Sequence, residues 1–242
     1  MREREDAFGR MLLDHLEGRE SHEVIERSDG YVDVAGGPKA YFEPFARWLP
    51  VERRAMRYVR GRVLDVGVGA GRVALHLQKR GHEVVAIDNS PLTVEVARRR
   101  GVKDVRLLAF RDIGAELGVL DTVVMMCNNF GLFASAAGAK RMLKRLRRLT
   151  SDGARIVAGS RDPYRTDNPE HLAYHEHNRS AGRMTGQLRL RHRVGLYRGR
   201  WFDYLLVSPD EMRSLAEAGG WEVERLVEDA GNDYYVGVLR KC

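Results

Sequence analysis

The stretch Val63-Leu64-Asp65-Val66-Gly67-Val68-Gly69-Ala70-Gly71-Arg72 runs from an apolar segment into three glycines at alternate positions. Val63, Leu64 and Val66 predict a short buried strand, and Val73, Ala74, Leu75 and Leu77 predict a helix beginning near Arg72. Glycines suit the turn between them because the backbone must bend sharply and approach a ligand closely, which a Cβ would obstruct. The next apolar run, Glu83-Val84-Val85-Ala86-Ile87, ends in Asp88. An acid at that distance, at the end of the adjacent strand, is placed to accept both hydroxyls of a ribose.

The dinucleotide fingerprint would put its third glycine where this chain has Arg72. What stands here is Asp65-x-Gly67-x-Gly69-x-Gly71, with an acid at the strand end. Asp65 would repel a pyrophosphate and welcome an ammonium group. A turn of this kind that binds NAD, or nothing, is the competing reading. In these residues the chain resembles the class I S-adenosylmethionine-dependent methyltransferases, whose first motif is an acid followed by Gly-x-Gly-x-Gly. The resemblance implies S-adenosylmethionine as cofactor. It places the methionine part on Asp65, Gly67, Gly69 and Gly71, and the ribose on Asp88 with Asn89 beside it.

The same resemblance extends to looser positions. Asp112, past the third strand, falls where the family commonly bonds the adenine amino group; an exposed loop aspartate is the alternative. Cys127, Asn128 and Asn129 leave the fourth strand, and ligands of such sheets bind outside the carboxyl ends of the strands. Cys127 and Asn128 are therefore cofactor candidates, and Asn129 a candidate for holding the acceptor. This exit departs from the Asp/Asn-Pro-Pro-Tyr motif of many nucleic-acid and protein amino-methyltransferases. Asp162-Pro163-Tyr164 is similar to it but follows the fifth strand. The family's segment before the first motif folds over the cofactor, which makes Tyr31 and Tyr41 further candidates. Packing of aromatic side chains onto the sheet is the alternative there, and the preferred one for Phe42, Phe45 and Trp48.

Outward from the motif, α and β patterns alternate. Strands are predicted at 62–66, 83–87, 104–108, 121–126, 154–159, near 202–207, and at 221–226 and 233–239. Helices are predicted at 72–80, 91–100, 137–149 and 209–218. The last two strands, separated by Asp229-Ala230-Gly231-Asn232, read as an antiparallel hairpin. The predicted fold is α/β: a Rossmann-like, doubly wound, seven-stranded sheet with that hairpin and an inserted β lid. One domain is expected over 1–242. Residues 1–58 form an N-terminal helical cap without strands of its own, with an amphipathic stretch from Tyr41 to Trp48. Residues 161–206 form the lid and acceptor segment.

The lid is the part the minimal fold does not need, so it is where acceptor specificity is expected. Asn178 to Phe202 contains seven arginines and no acid. Arg189, Arg191 and Arg193 alternate with Leu188, Leu190 and Val194, giving one basic and one largely apolar strand face. A solvated strand face and an anion-holding surface both fit that pattern. No aromatic residue interleaves with these arginines before Tyr197, which argues against a base-stacking platform. The layout is similar to the inserted strands of glycine and sugar N-methyltransferases. His171, His175 and His177 lie too irregularly for three ligands on one helix face, and Pro169 and Asn178 suggest irregular backbone. No metal is expected, and His175 or His177 is the candidate general base.

The 242 residues carry a net charge of +7, and only six of the 41 basic residues are lysines. That balance bears on solubility and encounter rather than fold. Two cysteines, Cys127 and Cys242, exclude a disulfide framework or zinc knuckle. The charged start from Arg2 to Asp6 and the lack of a long apolar run predict a cytoplasmic protein without a membrane segment. The expected function is methyl transfer to an oxygen or nitrogen of a small polar metabolite. An RNA or protein methyltransferase is the alternative, and a cofactor-binding protein without catalysis the third. The oligomeric state is not specified by these patterns.

Overall fold

The computed structural model describes residues 3–34 and 36–242, so the charged start at Arg2 lies outside the described residues. The chain opens with α1 (Ala7–Leu16), β1 (Val24–Arg27) and β2 (Val32–Val34), then two 3-10 turns at Pro38–Phe42 and Phe45–Arg47, and α2 (Pro50–Ala55). The alternation follows: β3 (Val63–Val66), α3 (Arg72–Lys79), β4 (Val84–Asp88), α4 (Pro91–Arg99), β5 (Asp104–Leu107), β6 (Leu120–Met125), α5 (Ala136–Leu149) and β7 (Thr150–Arg161). Next come α6 (Pro169–Ser180), β8 (Gln187–Val194), β9 (Tyr197–Arg198) and β10 (Phe202–Leu205). α7 (Pro209–Gly219), β11 (Trp221–Glu228) and β12 (Tyr234–Lys241) complete the chain.

Seven strands form the main sheet in the order β11-β12-β7-β6-β3-β4-β5. β3, β4 and β5 pair in parallel, as do β6 and β7, while β12 lies antiparallel between β7 and β11. This is the doubly wound sheet with an antiparallel C-terminal hairpin. A second sheet has the order β10-β8-β1-β2, with β9 paired to β8.

Two compact units divide the chain. The first comprises Met1–Trp48, Arg62–Glu116 and Arg189–Phe202. In it α1 lays Met11 and Leu12, both fully buried, against Ala70, Val96 and Val194. Burial of each such side chain stabilises by about 1.5–3 kcal/mol. Asp6 fixes the helix in place. Its carboxylate accepts the Gly9 amide at the start of α1 (3.2 Å), the Ser90 hydroxyl (2.7 Å) and the Leu92 amide (3.0 Å), while Ser90 caps α4 by accepting from Thr93. One buried acid thus satisfies the starts of two helices.

The second unit comprises Leu49–Gly61, Leu117–Leu188 and Asp203–Cys242. Trp221, fully buried, donates its indole N–H to the Leu143 carbonyl on α5 at 3.0 Å. α7 begins with a capping box of Ser208 and Glu211 behind Pro209. β7 is longer than its apolar run predicts, because β6 on one side and β12 on the other supply ladder partners beyond residues 154–159.

The segments around the core differ from their sequence reading. The N-terminal segment, read as a helical cap, carries β1 and β2. Each is short, and β1 gains its order by pairing with β8, Glu26 opposite Arg191. The aromatic stretch 41–48 forms 3-10 turns rather than an amphipathic helix, because Glu43 and Pro44 adopt extended backbone. Phe202–Leu205 belongs to the second sheet, and Trp221–Glu228 is the seventh strand of the first. Residues 169–180, read as irregular, form α6: Pro169 stands at the first helical position behind the cap Asn168. Asn178, completely buried near the end of α6, donates to the carbonyls of Thr185 (3.0 Å) and Gln187 (2.7 Å) and ties down the following loop.

Candidate active site

In the first unit the strand β3 delivers its acid into a glycine turn. Gly67, Gly69 and Gly71 all have positive φ, at 72°, 53° and 82°. The two later glycines differ in why they are there. A Cβ on Gly71 would stand 2.7 Å from Val102 Cγ2, so this glycine lets the turn pack. A Cβ on Gly69 would meet only the Tyr41 ring, at 3.8 Å, so the space over Gly69 is open and bordered by an aromatic face. The amides of Gly67 and Val68 donate to the Ile87 carbonyl (3.0 and 3.1 Å), which ties the turn to the end of β4.

Two carboxylates flank this turn. Asp65 is 2% exposed; it is bonded by the Ala74 amide, and its Oδ2 has no hydrogen-bond partner among the described residues. Burial pushes its carboxyl up to about 7, against the pull of the Ala74 amide and the Arg72 charge. Asp88 accepts the amides of Ser90 (3.0 Å), Gly69 and Asn89. Burial nonetheless pushes it up to about 6. An uncompensated carboxylate oxygen in such a place is costly unless a ligand cation or hydroxyl completes it. The open space at Gly69 and the incomplete Asp65 fit an amino-acid ammonium, and Asp88 fits a ribose.

Arg100, at the end of α4, was not visible in the motif. Its guanidinium donates to the Ala70 carbonyl in the glycine turn and lies over the Phe42 ring at 4.6 Å. It joins the turn to the 3-10 segment that carries Tyr41. Tyr31 occupies the β1–β2 turn with the Arg27 guanidinium over its ring at 4.6 Å, while Tyr41 faces the glycine turn. Asp112 ends a 3-10 turn with a 60% exposed side chain, 3.7 Å from Arg111.

In the second unit the chain leaves β6 through Cys127, which has φ 58°. A Cβ on Gly159 of β7 would strike the Cys127 carbonyl, so glycine there makes room for the kinked exit. The Asn128 carbonyl accepts the Tyr204 hydroxyl, and the Tyr204 ring fills the space beside Gly131. Asn128 Oδ1 is buried without a hydrogen-bond partner among the described residues, and Asn129 begins a 3-10 turn. On α6, His175 is buried and His177 exposed. Their different exposure follows from a two-residue spacing, which puts them on different sides of a helix.

The arginine face of β8 is not free. Arg191 forms two bonds to Glu26 (2.8 and 2.7 Å), Arg193 approaches the same carboxylate at 3.4 Å, and Trp201 lies under the Arg191 guanidinium at 4.4 Å. These arginines hold Glu26 well below the usual carboxylate range. The partner acid stands 165 residues earlier and was invisible in the local pattern. His192, between these arginines, carries a signal of its own in the sequence: it interrupts the apolar face formed by Leu188, Leu190 and Val194.

Residues 63–153 match the family model described as a methyltransferase domain. An 84-residue stretch is 39% identical to the ubiquinone biosynthesis O-methyltransferase of Methylocella silvestris, covering 32% of this chain and 33% of that protein. The chain thus spans about a third of the length of the curated relatives it matches. Over nearly its whole length it is similar to a Bacteroides fragilis S-adenosylmethionine-dependent methyltransferase solved with S-adenosyl-L-homocysteine. That match has 25% identity, covers 99% of this chain and 96% of the other, and has a TM-score of 0.82. The sugar N-methyltransferase KedS8 of a Streptoalloteichus species shares the fold at 18% identity and a TM-score of 0.56, covering 84% and 89% of the two chains. The glycine turn, the acids on either side of it and the seven-stranded sheet agree with these likenesses: residues 63–153 are a methyltransferase domain, and the chain as a whole has the fold of the S-adenosylmethionine-dependent methyltransferase it resembles over nearly its whole length.

Proposed function

We propose that the protein transfers a methyl group from S-adenosylmethionine to an oxygen or nitrogen of a small polar molecule. The observation that carries this reading is the glycine turn: an open position at Gly69, bordered by Tyr41 and flanked by the incomplete Asp65 and by Asp88. Bound there, the cofactor supplies a methyl group already activated on a sulfonium. Asp65 would hold its ammonium group, the start of α3 its carboxylate, and Asp88 with Asn89 its ribose. The chain's remaining task is to present the acceptor in line, exclude water and take up a proton where the acceptor loses one. The likeness to an O-methyltransferase supports a small acceptor. So does the engagement of the β8 arginines by Glu26, which leaves less of that face for phosphates.

Transfer to RNA is the second reading, and α5 favours it. That helix carries Lys140, Arg141, Lys144, Arg145, Arg147 and Arg148 and no acid. Two measurements separate the readings. Calorimetry with S-adenosylhomocysteine tests the cofactor site, with micromolar binding expected. Radiolabelled methyl transfer, assayed side by side on a small-metabolite extract and on total tRNA, tests the acceptor. Label in a small product supports the proposal. Label in tRNA, with sub-micromolar tRNA binding that falls steeply with salt, replaces it with the second reading.

A further inference from the structure

Strand β8 turns Arg189, Arg191 and Arg193 to one side, and Leu188, Leu190, His192 and Val194 to the other. Val194 is buried in the same cluster as Ala70 of the glycine turn. His192 therefore shares a strand face with a residue of that cluster, where an imidazole is out of place unless something holds it. Its ring is stacked on Phe202 (centroids 5.4 Å apart, planes 16° apart) and packed against Phe8 (5.2 Å). Its Nδ1 lies 2.9 Å from Oε1 of Glu23, a carboxylate only 3% exposed. The other Glu23 oxygen receives the Tyr41 hydroxyl at 3.4 Å, and the Tyr41 ring borders Gly69. One phenol ring thus links the Glu23–His192 pair to the open position of the cofactor site.

We propose that His192, oriented by Glu23, is the general base that takes the acceptor's proton, and that Tyr41 positions Glu23 against the glycine turn. This rests on the methyl-transfer reading above. Nδ1 and the Glu23 oxygen are close but not aligned as a hydrogen bond; the buried carboxylate beside Nδ1 nonetheless favours the proton on that nitrogen, which leaves the imidazole lone pair on Nε2. The acceptor's X–H proton passes to that nitrogen as the X lone pair forms the bond to the methyl carbon. The electron pair of the broken carbon–sulfur bond stays on sulfur, which becomes a neutral thioether. The positive charge ends on the imidazolium, beside the Glu23 carboxylate. His192 is about a quarter exposed, so an acceptor can reach it. Among the described residues its ring meets Glu23 and the uncharged Phe8 and Phe202, with Tyr41 reached through Glu23. Arg191 and Arg193 point to the opposite strand face and are held there by Glu26.

The test follows the His192 imidazole nitrogen resonances by NMR in the whole chain, saturated first with S-adenosylhomocysteine and then with S-adenosylmethionine. The two ligands differ by one positive charge and a methyl group at sulfur. A base that faces that sulfur must have its ring resonances moved by that change. Glu23→Gln should shift the balance between the two ring tautomers in the free protein, while S-adenosylhomocysteine affinity stays within threefold. If both ligands bind and the His192 resonances are alike with each, the base assignment falls and the methyl-transfer reading stands. If neither ligand binds by calorimetry, the methyl-transfer reading falls and takes the assignment with it.

Discussion

The glycine turn and the second sheet solve opposite problems. The strand, the glycines and the acids that make the turn lie within 26 positions of one another, from Val63 to Asp88, and the acids are met mostly by backbone amides, while Tyr41, Arg100 and Val102 close on the turn from outside that span. In the second sheet, Glu26 and Arg191 meet across 165 positions, and Glu23 and His192 lie further apart still in the chain. The first region is built from local backbone geometry and keeps charge uncompensated. The second is built from long-range pairing and compensates Glu26, Arg191 and Arg193 with one another. A site for a charged ligand needs the first kind of region, because an acid already satisfied by an arginine has nothing left to offer a ligand.

The sharpest way to break this contrast is to fill the open position. Gly69→Val should abolish S-adenosylhomocysteine binding, at least a hundredfold by calorimetry, with an unchanged far-ultraviolet spectrum. It loses both the φ of 53° and the space bordered by Tyr41. Retained affinity would show that the turn is not the site. Next in size, Asp88→Ala should weaken the same ligand tenfold or more, since charge-assisted bonds to hydroxyls contribute about 1.5–3 kcal/mol. Tight NAD binding by the unaltered protein would count against the ribose assignment to this family's cofactor.

A finer prediction concerns pH. Asp65 and Asp88 have folded-state values near 7 and 6, both raised above the ordinary carboxylate range by burial. The folded protein therefore binds protons that the unfolded chain has already released. The stability this confers is fully present below about pH 4 and is lost as pH rises through 6 and 7. The ligand's ammonium favours the ionised acids, so its affinity should rise across the same window. Asp65→Asn should raise the Tm of the free protein at pH 8 by a few degrees, while weakening S-adenosylmethionine and flattening the pH dependence of its affinity. A mutant that loses stability and keeps affinity would mean that Asp65 is a structural acid.

The smallest effect is expected in the compensated region. Arg191→Ala should lower Tm by only about 1–3 °C, because Arg193 remains beside Glu26 when Arg191 is removed. It should leave S-adenosylhomocysteine affinity within twofold. A tenfold loss of affinity would mean that the two regions are coupled and that the contrast drawn here fails.

What the amino-acid sequence determined is what depends on neighbours along the chain. The spacing of Val63–Arg72 and Asp88 specifies strand, turn and helix, since glycine conformation and apolar periodicity are local properties. The alternation of α and β patterns and the hairpin of 221–226 with 233–239 follow for the same reason. Pro169 was misread because the same residue that breaks a helix interior starts a helix at its first position, and only the Asn168 cap distinguishes the two. Tertiary structure alone decided which charges are satisfied. The arginines of β8 fit a solvated or anion-holding face until Glu26 is brought beside them, and only the fold brings His192 beside Glu23. Strands as short as Val24–Arg27 carry too little pattern to declare themselves, because their order comes from a ladder partner far along the chain. Pairing across such separations is set by the folded path of the whole chain, and no local window contains it.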